Sequence, residues 1–101
     1  GLEVEAVLLE HPTVHEAAVV GTPDKDRGQI VKAFIIPKDA GSVGEETVSE
    51  LQDFVKSQIS AFKYPRAVEF VDELPLTATG KIQRGALRQL ERQRAEEAGI
   101  I

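Results

Sequence analysis

Glu73-Leu74-Pro75-Leu76-Thr77-Ala78-Thr79-Gly80-Lys81-Ile82-Gln83-Arg84 sets one lysine in a loop between an apolar, strand-like run and a helix. Pro75, the threonines and Gly80 disfavour regular structure. The following Arg84-Gly85-Ala86-Leu87-Arg88-Gln89-Leu90 reads as helical. A loop of this kind presents a cation in a defined place without burying it. An ammonium held that way stabilises negative charge developing on a phosphate.

Working outward from the loop, Ala67 to Val71 reads as a strand. It follows a basic, aromatic loop, Ala61 to Arg66, that contains Pro65. Thr47 to Ser60 reads as a helix with Val48, Leu51, Phe54 or Val55, and Ile59 on its apolar face. Thr47 or Glu46 lies near its start, where acids suit the helix dipole. At the front of the chain, Val4, Val7 and Leu8 give the spacing of an amphipathic helix over Leu2 to His11, which Pro12 stops. Val14 to Gly21 reads as the first strand, with a continuous apolar run from Ala17 to Val20. Gly21-Thr22-Pro23-Asp24 has turn composition. A loop over Lys25 to Gln29 then leads to a β-branched second strand, Ile30 to Pro37, and an antiparallel pairing of the two strands with an exposed loop between them. Lys38 to Gly44 is a polar connector. The last helix starts near Arg84. Beyond Leu90 its charges fall on every face, which predicts solvent and not core. The order α-β-β-α-β-α gives a small α+β domain, a three-stranded sheet packed by helices.

Composition narrows the function. The 101 residues suffice for one small domain, and 42% hydrophobic residues suffice for a core. Without cysteine there is neither a disulfide framework nor a thiolate metal site. Pro12 between His11 and His15 argues against a shared histidine metal site on a helix face. A net charge of −5, with no basic run, disfavours nucleic-acid binding. There is no long apolar stretch for a membrane span and no signal-peptide pattern, so the default location is cytoplasmic. The opening Gly1-Leu2, directly before a helix, reads as the cut end of a longer chain.

Gly80-Lys81 matches the tail of the phosphate-binding pattern G-x-x-x-x-G-K-[ST]. Position 75, however, is proline and position 82 isoleucine, so the backbone cradle and the magnesium-binding hydroxyl are both missing. The stretch is not a P-loop.

Glu73 to Arg84 instead resembles the last core motif of the adenylate-forming (AMP-binding) enzymes: acyl- and aryl-CoA synthetases, luciferases and peptide-synthetase adenylation domains. The likeness extends through Glu3-Val4-Glu5, His11-Pro12, Glu16-Ala17-Ala18-Val19-Val20-Gly21, Pro23-Asp24, Arg27-Gly28, Lys32-Ala33-Phe34, Lys63-Tyr64-Pro65-Arg66 and Val68-Glu69-Phe70-Val71. Thr-Gly-Lys-Ile-Gln-Arg and Lys-Tyr-Pro-Arg resemble the medium-chain and aromatic acyl-CoA ligases more than the peptide synthetases.

The resemblance implies the C-terminal domain of an acyl-CoA synthetase whose large N-terminal domain and hinge lie outside this chain. A carboxylic acid attacks the α-phosphate of Mg2+-bound ATP, pyrophosphate leaves, and coenzyme A takes the acyl group from the adenylate. Lys81 is implied as the catalytic residue, in a loop with Thr79 and Gly80 at the adenylate. Thr77 and Thr79 tie that loop down or are ordinary turn residues, and Gly80 allows close backbone approach. Arg27, Lys56 and Tyr64 are implied to border the nucleotide end of coenzyme A, with Lys63 and Arg66 as electrostatic support. The magnesium is implied to sit with ATP on the large domain, leaving Asp24, Asp26, Glu45 and Glu46 as structural acids.

The same resemblance implies that the domain rotates between an adenylation pose and a thioester-forming pose, and that it is inactive alone. A lysine acetyltransferase and deacetylase acting on Lys81 are implied partners, and fatty acid metabolism the context. The competing reading is a non-catalytic interaction or regulatory module of the same fold, against which the intact lysine loop argues.

Overall fold

A computed structural model describes residues 2–101. Gly1, read above as a cut end, lies outside the described residues. The elements are α1 (Leu2–Leu9), β1 (Val14–Asp24), β2 (Gly28–Pro37), α2 (Glu45–Gln58), β3 (Ala67–Phe70) and α3 (Arg84–Glu97), with one 3-10 turn over Ala40–Ser42. The expected order α-β-β-α-β-α stands. The strands form an open mixed sheet in the order β1-β2-β3. β1 and β2 are antiparallel, as expected, whereas β2 and β3 are parallel. A parallel pair needs a crossover, and α2 supplies it.

Strand geometry explains the continuous apolar run in β1. Successive side chains point to opposite faces, and both faces of this sheet are covered. Ala17 and Val19 join Val4 and Leu8 of α1, Leu51 and Val55 of α2, and Ala33 and Ile35 of β2 on one face. Ala18 and Val20 join Phe34, Leu74 and Leu87 of α3 on the other. The domain is therefore three layers with the sheet in the middle.

The structure corrects two readings of the sequence. Gly21 to Asp24 does not turn: it extends β1, with Thr22 opposite Ile30 and Pro23 opposite Gln29. Pro23 is tolerated because β1 is an edge strand, where a missing ladder donor costs little. The chain reverses one step later, so the connection is a tight turn over residues 25–27. There the Asp24 carboxylate accepts from the N–H groups of Asp26 (3.1 Å) and Arg27 (3.0 Å). Gly28 follows with φ +79°, a backbone conformation suited to glycine.

The second correction concerns α3, which does not dissolve into solvent beyond Leu90. Glu91 is only 6% exposed and Ala95 is buried beside it. Glu91 accepts from Thr22 Oγ1 of β1 (2.9 Å) and from Lys32 Nζ of β2 (3.0 Å). Arg94 bridges Glu69 of β3 (2.7 Å) and Glu91 (3.0 Å), and Lys32 also reaches Glu69 at 2.9 Å. Lys32 shares the α3-facing side of β2 with Phe34 and would be a buried unpaired cation without these carboxylates.

Burial by itself raises the pKa of Glu69 and of Glu91. The hydrogen bonds they accept outweigh it, from Arg94 and Lys32 for Glu69 and from Lys32, Thr22 and Arg94 for Glu91, and hold both below the ordinary value of 4.5. As pH falls, the unfolded chain takes up these protons first, so stability from the cluster is full above about pH 4.5 and drains below it. Urea midpoints measured between pH 6 and pH 3 should fall more shallowly for Glu69→Gln/Glu91→Gln than for the parent chain. Equal slopes would refute the role of the cluster.

Candidate functional site

The lysine loop is a small hairpin, more regular than its composition predicts. Gln83 N–H donates to the Pro75 carbonyl (2.8 Å), Leu76 and Ile82 form an antiparallel bridge, and Thr77 N–H donates to the Lys81 carbonyl (2.8 Å). The Lys81 N–H donates to Thr77 Oγ1 (3.0 Å), which also lies 3.1 Å from Thr79 Oγ1. Thr77 therefore closes on both backbone groups of Lys81, and Thr79 supports it. Gly80 sits at the reversal with φ +83°, and a Cβ there would meet nothing within 4 Å of the chain. Its glycine is demanded by backbone conformation and not by crowding within the domain.

The Lys81 side chain is exposed and forms no ion pair among the described residues. It lines a groove of about 650 Å³ with His15, Glu16, Asp72, Leu76 and Arg84. His15 and Glu16 sit at a register shift in β1. That extra residue is why Val14 and Ala17 can both face the α1/α2 core.

Behind the hairpin lies an ion pair between a half-buried arginine and a buried carboxylate. Arg84, the first residue of α3, donates from Nε to Glu5 Oε2 (2.7 Å) and from Nη2 to Glu5 Oε1. Glu5 Oε2 also accepts from the Val19 N–H of β1 at 2.7 Å. The Glu5 hydrogen bond raises the Arg84 guanidinium above its ordinary value, against an opposing effect of burial.

A second cleft, of about 680 Å³, is lined by Arg27, Gln29, Phe62, Tyr64 and Arg66 among others. Arg66 Nη1 donates to the Tyr64 hydroxyl (2.9 Å), and its guanidinium carbon lies 5.0 Å from the ring centroid. Lys56 Nζ sits over the same ring at 4.1 Å. The structure thus brings Arg27 and Tyr64 to one cleft. It sets Lys56 against the tyrosine ring, outside the cleft lining, and Lys63 near Glu3 at 4.0 Å.

His11 is buried, accepts from the Thr13 N–H at Nδ1 (3.2 Å) and packs edge-on to Phe54. It serves the turn after α1.

Residues 3–81 match the family of the AMP-binding enzyme C-terminal domain. The chain belongs to this family. Over 92 residues this AMP-binding C-terminal domain is 55% identical to the mitochondrial acyl-coenzyme A synthetase ACSM1 of Mus musculus, covering 89% of the chain and 16% of the relative. It superposes on an acyl-CoA synthetase from Brucella canis with a TM-score of 0.84 and 52% identity, covering 89% of the chain and 17% of that structure. With the anthranilate CoA ligase AuaEII, solved with anthranoyl-AMP, the TM-score is 0.87 and the identity 45%, over 94% and 18%. The chain spans about a sixth of the length of these relatives. They include both acyl- and aryl-CoA ligases, the branch that the motifs resemble.

Two features of this AMP-binding C-terminal domain escaped the sequence. Phe62 is 92% exposed at the lip of the second cleft, although aromatic spacing in a basic loop gives no sign of it. Glu5 could have been found: it stands between Val4 and Leu8 on the core-facing side of α1, where a carboxylate requires a partner.

Gly80→Ala should destabilise the chain by about 1–2 kcal/mol, the cost of a left-handed conformation in a residue with a Cβ. Gly80→Asn should recover part of the loss, because asparagine tolerates that region better. Urea unfolding checks both, and a neutral alanine variant would contradict the hairpin geometry.

Proposed function

We propose that this domain is the mobile C-terminal part of an ATP-dependent, AMP-forming acyl-CoA synthetase, with Lys81 as its adenylation lysine. The observation that carries the reading is an exposed ammonium, unpaired among the described residues, on a hairpin whose backbone is locked on both sides of it. In the first half-reaction a carboxylate oxygen bonds to the α-phosphorus of ATP and the bond to pyrophosphate breaks. Both reactants are anions, and the in-line transition state gathers charge on its phosphoryl oxygens. The Lys81 ammonium aligns the two and offsets that charge. Thr79 and Gly80 shape the loop at the adenylate.

In the second half-reaction the coenzyme A thiol takes the acyl carbon and AMP leaves with the former carboxylate oxygen. The guanidinium groups of Arg27 and Arg66 and the Tyr64 hydroxyl suit the phosphates of coenzyme A. The Tyr64 ring is already occupied by cations, so the exposed Phe62 face is better suited to its adenine. Lys56 contributes by holding Tyr64. Among the described residues no group of three or more acidic or histidine side chains gathers to hold a metal. We place magnesium with ATP on the large N-terminal domain, since the nucleotide's phosphates and water supply most of its oxygen ligands.

That N-terminal domain is the partner this reading requires, and the chain alone is then inactive. The exposure of Lys81 also admits an acetyltransferase and deacetylase, since acetylation would remove the charge that adenylation uses. No helix among the described residues is long and apolar enough to cross a membrane. The cytoplasm is the proposed compartment, with the mitochondrion its rival because the ACSM1 relative is named as mitochondrial. Fatty acid metabolism is the proposed context.

In the enzyme that carries this domain, Lys81→Ala should lower pyrophosphate release from acid and ATP by on the order of 10²–10³-fold. Thioester formation from supplied acyl-adenylate and coenzyme A should survive. Equal loss of both would indicate a structural role, and loss of neither would favour a non-catalytic module.

A further inference from the structure

We infer that the Glu5–Arg84 pair is a positioning device for Lys81, acting on the root of the lysine hairpin. The inference rests on the reading of Lys81 as the adenylation lysine. Arg84 stands three residues beyond it and lines the same groove. Its planar fork meets the planar Glu5 carboxylate through two donors, which fixes orientation as well as position. Glu5 is itself immobilised: it is 5% exposed, and Oε2 is held by the Val19 N–H of β1. The hairpin root is therefore referenced to α1 and β1, not to α3 alone.

Little slack separates the anchor from the lysine. Gln83 is bonded to Pro75, and Ile82 packs against the core that holds Phe34 and Leu87. Lys81 is bonded through both backbone groups to Thr77. Satisfying the Val19 N–H calls for an acceptor at position 5 and a cation beside it, but not for the two-donor fork of Arg84, which a single-point ammonium would not supply. Positioning does call for the fork. A reaction that joins two anions around one ammonium is sensitive to displacement, and a misplacement of about 1 Å costs roughly 10²-fold.

Glu5→Gln is the deciding variant, because its amide oxygen can still accept from the Val19 N–H while the charged fork is lost. In the enzyme carrying this domain, adenylation kcat should fall about 10- to 100-fold. The KM for ATP and thioester formation from supplied acyl-adenylate should be unchanged. Arg84→Lys, which keeps the charge without the fork, should fall between Glu5→Gln and the parent. Leu8→Ala loosens the same helix without touching the pair. At a temperature where all variants are folded it should leave adenylation intact. In the chain itself, amide exchange at Lys81 and Gln83 should accelerate in Glu5→Gln relative to the centre of β2.

Equal losses in both half-reactions, or a matching loss in Leu8→Ala, would overturn positioning in favour of plain stability. Unchanged adenylation in Glu5→Gln, beside its loss in Lys81→Ala, would overturn this inference and leave the role of Lys81 standing. Unchanged adenylation in Lys81→Ala would overturn both.

Discussion

One carboxylate connects the parts of this domain that covalent order keeps apart. Glu5 sits in the first helix, Val19 in the edge strand and Arg84 at the start of the last helix, and all three meet at the Glu5 oxygens. The outer edge of β1 would otherwise carry an N–H with no partner beneath α1, and a buried orphan donor is costly. Glu5 satisfies that donor and in turn requires a cation, because a buried carboxylate without one would be strongly destabilising. Arg84 supplies the cation from the opposite side of the sheet. The two helical layers are thus tied around the free edge of β1, and the lysine hairpin is suspended from the knot.

The α3 face of the sheet is organised by the same principle. Lys32 points from the central strand toward α3, and Glu91, Glu69 and Arg94 converge on it with Thr22. Two cations and two carboxylates balance in a partly buried site where any one alone would be unfavourable. Each group belongs to a different element except Glu91 and Arg94, so the network also sets the height of α3 on the sheet. Between this network and the Glu5 pair, α3 is fixed at both ends. The exposed loop carrying Lys81 is therefore held by two ionic anchors and a patch of apolar core.

Local signals in the sequence were dependable where they reflected local physics. The helix over the first residues stops before Pro12, at Leu9, the β-branched run 30–37 forms a strand, and acids open α2. The threonines of the lysine loop do tie it down. Signals failed where a partner distant in sequence decided the outcome. Gly21-Thr22-Pro23-Asp24 has turn composition, yet it pairs with residues 28–31 because an edge strand accepts proline. Glu91 looked like solvent-facing charge on a frayed helix until Lys32, 59 residues away, came to meet it.

What the sequence alone determined is the order of elements, the membership in the family and the identity of the exposed lysine. These depend on short-range periodicity, turn chemistry and a motif of twelve consecutive residues. What only the tertiary structure decided is the parallel seating of β3, the meeting of Arg27 with Tyr64, and the anchoring of Arg84 by Glu5. Charge pairing across 79 residues leaves no periodic trace in a chain. It is settled by which surfaces the sheet buries, and by the cost of burying an ion without its partner.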